Sequence, residues 1–235
     1  MTSSTSRRGP RAVAAPFGPL STVRYTVDGV DFDMVRVPPG RFVDGEGPTR
    51  RELLVSRPFE LGVAPVTQAL WRAVMGLSPS SFRGRDRPVE RVSWNDAQQL
   101  MGALAGRGLP GFRLPTEAEW AWAARCGAPT RWAGSDRAKV VVAGSTQTVS
   151  ISSLSPSAAG ALDLSGNVWE WAGDYYSWLP AAGIDWQGPE SGSGCVVRGG
   201  GWTPAQRGTR ISHRGDANPE DLDKTLGVRL FRTVD

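Results

Sequence analysis

One long stretch without regular periodicity, from residue 127 to residue 195, limits most strongly what this chain can fold into. The stretch consists mostly of Gly, Ser, Pro and Ala around isolated aromatic residues. Because irregular segments of this length are uncommon inside compact domains, something must hold this one in place. One candidate is tryptophan, since each indole buries a large area and needs a partner for its N–H; the other is a bound cation. The chain has ten tryptophans: Trp71, Trp94, Trp120, Trp122, Trp132, Trp169, Trp171, Trp178, Trp186 and Trp202.

Regular elements are predicted on both sides of this stretch. The two-residue turn Asp28-Gly29 favours a β-hairpin, and Thr67, Ser93 and Thr116 each precede a run with helical spacing that they can cap. The predicted strands are Arg24–Val27, Val30–Val37, Arg51–Val55, Phe59–Val63, Cys195–Arg198 and Gly227–Phe231. The predicted helices are Gln68–Met75, Trp94–Ala105 and Glu117–Arg125.

No internal repeat or linker separates these elements, so we expect one domain of the α+β class over residues 24–235. Residues 1–23 are Ser, Pro, Arg and Ala without periodicity, which predicts a disordered tail. Their apolar run, AVAAPFGPL, is short and interrupted by two prolines, so we expect no export and a cytoplasmic protein. No stretch approaches the roughly 18 apolar residues of a membrane helix.

The charge of the chain is concentrated in the N-terminal region. The formal net charge is +4, and four arginines with no acid precede Asp28, so the rest of the chain is neutral overall. A nucleic-acid-binding domain would carry its basic residues on the domain itself. We therefore expect no nucleic acid and no membrane among the partners.

The few cysteines and the single histidine exclude several kinds of site. Two cysteines, Cys126 and Cys195, cannot form a disulfide scaffold or a multi-cysteine zinc site. One histidine, His213, is too few for the two histidines of a facial iron triad. We expect both cysteines to be buried small hydrophobic residues. Whether they lie close enough to form a redox pair is left open.

Several segments occur in an order that resembles the formylglycine-generating-enzyme, or sulfatase-modifying factor, family over residues 34–232. The segments are Pro65-Val66-Thr67, Arg87–Asp96, Arg113–Trp120, Asp163–Trp171, Val197–Trp202 and the closing Gly227-Val228-Arg229. The resemblance implies an irregular α+β fold of the C-type-lectin type, with little regular secondary structure and often with bound calcium.

The founding enzymes of that family oxidise a cysteine of a target sulfatase to formylglycine, with copper held by two cysteines just after an Arg-Gly-Gly-Ser motif. Here the corresponding segment, Gly201–Arg214, contains no cysteine. Since Cu(I) prefers thiolate ligands, we expect neither copper nor iron and assign the chain to the non-catalytic branch, which binds a protein or small ligand. Two alternatives stay open: a modifying enzyme of the same family with a divergent active site, and a structural subunit that docks through its arginine-rich tail.

The resemblance also implies one calcium site. Its ligands would be the carboxylates of Asp163 and Glu170 and the carbonyls of Gly166 and Val168. Calcium prefers six to eight oxygen ligands, and mixed carboxylates and carbonyls suit it. The alternative is that Asp163 and Glu170 only stabilise this turn.

In non-catalytic relatives, the stretch between Arg-Gly-Gly-x-Trp and the final Gly-x-Arg forms the ligand surface. The residues that it would offer here are Trp202, Thr203, Gln206, Arg207, His213, Asp216, Asn218 and Glu220. Arg198, Arg210, Arg214 and Arg229 match positions that more often brace the fold. The alternative is a solvated loop, and the oligomeric state is left open.

Overall fold

The computed structural model describes residues 17–128, 130–133, 145–151, 156–203 and 206–234. These residues form 12 short strands and three helices. The strands are β1 Thr22–Val27, β2 Val30–Val37, β3 Gly40–Asp44, β4 Arg51–Val55, β5 Phe59–Gly62, β6 Phe112–Arg113, β7 Trp169–Tyr175, β8 Gly183–Ile184, β9 Cys195–Arg198, β10 Gly215–Ala217, β11 Leu226–Gly227 and β12 Phe231–Thr233. The helices are α1 Gln68–Met75, α2 Trp94–Gly106 and α3 Glu117–Arg125.

The predicted hairpin is confirmed, and it begins earlier than expected. Asp28 and Gly29 both have positive φ angles, 46° and 75°, as the tight turn between β1 and β2 requires. Strand β1 starts at Thr22, before the predicted domain boundary at residue 24. Phe17 also contacts the ring of Trp122 edge-on, at 5.9 Å between centroids. The end of the predicted tail therefore packs on the domain, whereas residues 1–16 lie outside the described residues.

Each predicted helix begins where its capping residue directs it. The side-chain oxygens of Thr67, Ser93 and Thr116 accept hydrogen bonds from the backbone N–H three residues later, at 3.2, 3.0 and 3.1 Å. These bonds satisfy donors that have no partner within the helix. Helix α2 ends at Gly106, one residue later than predicted.

The strands form three small sheets. The largest has the order β1-β2-β5-β12-β6, the second β10-β9-β7-β11 and the third β3-β4-β8. The single strand predicted over Gly227–Phe231 is wrong, because the chain passes from the second sheet to the first between β11 and β12. At this crossing Arg229 turns into the interior, fully buried, and pairs with Glu170.

Tryptophan side chains hold much of the irregular stretch, as expected. The Nε1 of Trp171 donates to the carbonyl of Val92 at 2.9 Å, and that of Trp94 donates to the carbonyl of Ala172 at 2.9 Å. Trp178 does not fit this role, because 74 % of it is exposed. Among the described residues, no helix has the length and apolar character that crossing a bilayer requires.

Two glycine substitutions test this packing. In Gly227→Ala, the new Cβ would lie 2.8 Å from the carbonyl oxygen of Val89 and from Cγ2 of Val168. We expect the free energy of unfolding to fall by about 1–3 kcal/mol. The matched variant Gly102→Ala places its Cβ in open space on α2, so stability should rise by about 0.5–1 kcal/mol. Urea unfolding measures both, and equal effects of the two substitutions would contradict the structure.

Candidate functional site

A group of charged side chains lies buried between β3, β4, α3 and β9, and we call it the arginine–carboxylate cluster. Its members are Asp44, Arg51, Glu117, Arg125, Arg198 and Arg214. Asp44, Glu117 and Arg198 are almost fully shielded from solvent, and Arg214 and Arg125 reach the surface by small fractions of their side chains. Buried charges persist only when they are paired and hydrogen-bonded.

Glu117 is the centre of the cluster. Its carboxylate accepts hydrogen bonds from Arg198 Nη1 at 2.6 Å, Arg51 Nη2 at 2.8 Å and Arg214 Nη2 at 2.9 Å. Burial by itself would raise the pKa of Glu117, but the charges of Arg198, Arg214 and Arg51 lower it to about 2. Asp44 in turn accepts from Arg125 Nη2 at 3.2 Å and from Arg198 Nη1 at 3.3 Å.

The cluster holds more positive than negative charge. Its four arginines face two carboxylates, and the Nε atoms of Arg51, Arg125 and Arg198 are buried without a hydrogen-bond partner among the described residues. The nearest further acid, Asp174, accepts a hydrogen bond from the backbone N–H of Glu117 at 2.6 Å. Burial, with the charge of Glu117, raises the pKa of Asp174 to about 7, so it neutralises little of the excess.

Two cavities lie above this cluster. The first, of about 380 Å³, is lined by Glu46, Thr49, Tyr176, Trp178, Arg210, Ser212, His213 and Arg214. The second, of about 480 Å³, includes Arg41, Phe42, Trp122, Arg125 and Arg131 in its lining. Both cavities share Glu46 and Ser212, whose side chains are joined by a 2.8 Å hydrogen bond. We call the combined surface the arginine groove.

The segment that follows β9 is folded around the indole of Trp169. A Cβ added at Gly201, Gly208 or Gly215 would lie 3.4, 3.2 or 3.3 Å from an atom of that ring. The ring of His213 also lies against it, at 5.7 Å between centroids. Glycine is therefore needed at all three positions to let the backbone approach the indole closely.

The predicted ligand-binding residues lie at separate places along this segment. His213 is exposed and lines the arginine groove. Burial, together with the charges of Arg198 and Arg210, lowers its pKa. Trp202 lies elsewhere: its ring meets that of Phe82 edge-on at 5.3 Å, and its Nε1 donates to the carbonyl of Lys224 at 3.1 Å.

The remaining predicted residues are not brought into the groove by the described contacts. Asp216, on β10, and Asn218 are exposed, and Asn218 accepts a hydrogen bond from the backbone N–H of Glu220 at 3.0 Å. The carboxylate of Glu220 accepts from Asn95 at 3.4 Å. Thr203 is half-buried. Gln206 and Arg207 begin a short 3-10 turn, Gln206–Thr209, but their side chains lie outside the described part of the chain.

The loop predicted to bind calcium has one unpartnered oxygen and one carboxylate that is already occupied. Asp163 Oδ1 is buried with no hydrogen-bond partner among the described residues, and Oδ2 accepts from Asn167 at 2.8 Å. Glu170 accepts from Arg229 Nη2 at 2.6 Å and from Trp120 Nε1 at 2.7 Å. The described residues contain no group of three or more His, Cys, Asp or Glu side chains suited to a metal. The donors thus fit a cation at Asp163 better than at Glu170.

The two cysteines are not brought together. Cys126, at the end of α3, and Cys195, at the start of β9, pack in different hydrophobic clusters, and both are free thiols. Burial raises the pKa of each thiol to about 11, so neither is a thiolate near neutral pH. Neither cysteine lines the arginine groove.

Sequence reasoning missed several residues that shape the groove. Tyr176 and Trp178 were expected only to anchor the irregular stretch, and Glu46 lies more than 160 positions before its partner Ser212. Arg214 was expected to brace the fold, and it both does so and lines the cavity. An aromatic residue next to Leu179, which is also exposed, was the one local signal for an exposed surface.

Comparisons with known proteins agree with this architecture. The family model described as sulfatase-modifying factor enzyme 1-like domain matches residues 28–234. The chain is 26% identical to chaperone protein LppX of Paenibacillus barcinonensis, over 87% of this chain and 90% of that protein. It is 32% identical to the formylglycine-generating enzyme of Streptomyces coelicolor, over 72% of this chain but only 60% of that enzyme.

A solved structure shows the same fold. Treponema denticola variable protein 1 superposes with a TM-score of 0.84 at 29% identity, covering 90% of this chain and 98% of that one. The α+β fold of the C-type-lectin type that the resemblance implied is therefore confirmed.

The low pKa of Glu117 predicts how stability changes with pH. A carboxyl group whose pKa is depressed by folding stabilises the protein above its unfolded pKa, and this contribution is lost as the pH falls from about 4.5 to about 2. We expect Glu117→Gln to lower the free energy of unfolding at neutral pH by about 3–5 kcal/mol, because it leaves buried arginines unpaired.

The difference between wild type and Glu117→Gln should shrink as the pH approaches 2, and urea unfolding at several pH values measures it. Glu220→Gln, at an exposed position, is the control and should change stability little at any pH. A gap between the wild-type and Glu117→Gln stabilities that does not depend on pH would show that Glu117 is not held ionised by the cluster.

Proposed function

This chain belongs to the sulfatase-modifying factor enzyme 1-like family, and from that premise we propose that it is a non-catalytic, calcium-stabilised member that binds a protein or small ligand. The observation that carries the proposal is the groove around His213. Its lining combines an exposed indole, a phenol, an imidazole and fixed guanidinium groups, and contains no thiol among the described residues. Aromatic and arginine side chains are the residues most often found at binding hot spots.

The chemistry of the founding enzymes has no support in the residues of this chain. Both cysteines are buried in separate clusters with raised pKa values, and a copper site in those enzymes needs a pair of thiolates after the Arg-Gly-Gly motif. The similar solved structure is named a variable protein, and the relative matched over most of its length is named a chaperone. Those names support ligand binding, and the second favours a polypeptide ligand.

The proposed binding face consists of the arginine groove and the adjoining C-terminal segment. His213 belongs to both, while Trp202 and Thr203 extend the face beyond Trp169. Trp178 is the strongest anchor for a ligand, since three quarters of its side chain is available for contact. Burying an indole of this size on binding contributes more than any other single side chain in the groove.

Calcium is proposed as a stabiliser of the loop that precedes β7. Asp163 would supply a carboxylate oxygen that now lacks a partner, and Gly166 and Val168 would supply carbonyls. Glu170, the fourth predicted ligand, would have to share its oxygens with Arg229. When bound, the ion would neutralise a buried carboxylate and fix the entry to β7.

Calcium addition is expected to raise the thermal midpoint of the purified chain. At calcium concentrations 100 times the Kd, the gain in stability would be about 2.7 kcal/mol. Asp163→Asn should remove this gain, whereas Asp221→Asn, at an exposed position, should keep it. Differential scanning calorimetry with calcium and with chelator measures the effect. Equal midpoints in the two buffers would refute the calcium site and leave the binding proposal intact.

Selection of a displayed peptide library on the immobilised chain tests ligand binding. We expect peptides that bind wild type, bind Trp178→Ala roughly tenfold more weakly, and bind Leu222→Ala unchanged. Leu222 is an exposed apolar residue outside the groove, so it controls for general stickiness. Affinities unchanged in Trp178→Ala would refute the face. Conversion of a cysteine peptide to an aldehyde by the copper-treated chain, detected by mass spectrometry, would contradict the non-catalytic assignment.

A further inference from the structure

We propose that the arginine groove binds an acidic polypeptide segment of a partner protein. This inference rests on the proposed function and names the class of ligand for the same face. It follows from the charge of the groove, the charge buried beneath it, the fixed positions of two of its arginines and its elongated shape.

The lining of the groove is strongly biased toward positive charge. Its arginines are Arg41, Arg125, Arg131, Arg210 and Arg214. The acid that lines it is Glu46, which lies where the two cavities meet and is 3.7 Å from Arg210. The domain as a whole is neutral, so this surface is a local concentration of cationic groups. Such a surface attracts an oppositely charged partner and sets its orientation.

The buried layer below the groove adds to this potential. The arginine–carboxylate cluster contains two more guanidinium groups than carboxylates, and Asp174 beside it is only partly ionised at neutral pH. Unpaired buried charge is costly. Carboxylates of a ligand placed against Arg125 and Arg214, the two cluster members that reach the groove, would balance that excess.

These two arginines are held in position before any ligand arrives. Arg214 lies over the ring of Tyr176, 4.7 Å from its centroid, and donates to the carbonyl of Ser177 at 2.6 Å and to Glu117. Arg125 is held by its hydrogen bond to Asp44. A planar guanidinium fixed in this way can bind a carboxylate with little further loss of side-chain entropy.

The shape of the groove fits an extended chain better than a single small anion. Two cavities of about 480 and 380 Å³ adjoin at the bridge between Glu46 and Ser212. Aromatic rings lie at both ends, with Trp122 in one cavity and Trp178 in the other. A small anion would occupy one cavity, whereas a peptide with spaced acidic and apolar side chains would use both.

Segments of this chain outside the described residues do not match the charge of the groove. Residues 1–16 contain three arginines and no acid, and residues 134–144 contain one acid and two basic residues. The exposed turn from Asp216 to Asp223 does contain four acids. A second copy of the chain that inserts this turn is therefore the competing occupant, and the experiment must separate it from a partner protein.

Fluorescence polarisation with a labelled peptide of alternating glutamate and leucine tests the proposal on the full chain. We expect saturable binding that weakens with added salt. The double variant Arg41→Gln/Arg131→Gln, at two exposed positions, should bind roughly tenfold more weakly. Glu46→Gln should bind more tightly, a change that partial unfolding could not produce. Arg36→Gln, at an exposed position outside the groove, is the matched control and should leave the affinity unchanged.

Three outcomes would overturn the proposal. Equal binding of a peptide with glutamine in place of glutamate would show that charge is not recognised. Equal or tighter binding of a single-stranded oligonucleotide would identify another class of polyanion. Self-association in sedimentation, lost in the Arg41/Arg131 double variant, would assign the groove to a second copy. If library peptides lose affinity for Trp178→Ala but the acidic peptide does not bind, only the ligand class is wrong and the proposed function stands.

Discussion

The carboxylate of Glu117 is the interaction on which the rest of this structure depends. It sits at the first turn of α3 and joins Arg51 of β4, Arg198 of β9 and Arg214 of the C-terminal segment. Those elements share few backbone hydrogen bonds, since they belong to different sheets or to none. One buried acid therefore sets the positions of three parts of the chain that regular secondary structure does not connect, and the groove is formed by residues on these parts.

A second buried pair plays the same part on the other side of α3. Glu170 of β7 holds Arg229 at the crossing between sheets and also accepts from Trp120 of α3. The sequence suggested that a cation might take the place of missing secondary structure. Here a guanidinium group already does so at Glu170, and Asp163 is left as the carboxylate nearby whose charge is not matched by an arginine hydrogen bond.

Local signals in the sequence were enough for elements that local interactions define. The helices and the first hairpin have capping or turn residues next to them, and their bounds were predicted to within about two residues. Strand β7 was missed because Trp169–Tyr175 is buried on both faces for much of its length and shows no alternation. The groove was missed apart from His213, since Glu46, Tyr176 and Trp178 meet only through long-range contacts. Neutral overall charge also concealed a surface on which arginines are concentrated.

The three glycines around Trp169 have a consequence for how this face can evolve. Gly201, Gly208 and Gly215 are seven residues apart, and each meets the same indole. Side chains between them can be exchanged while the backbone keeps its path, but an inserted or deleted residue would move a glycine off the ring and place a larger side chain there. Specificity on this surface can therefore diversify by replacement at constant length, in the way that a fixed-length loop library does, and not by lengthening the loop.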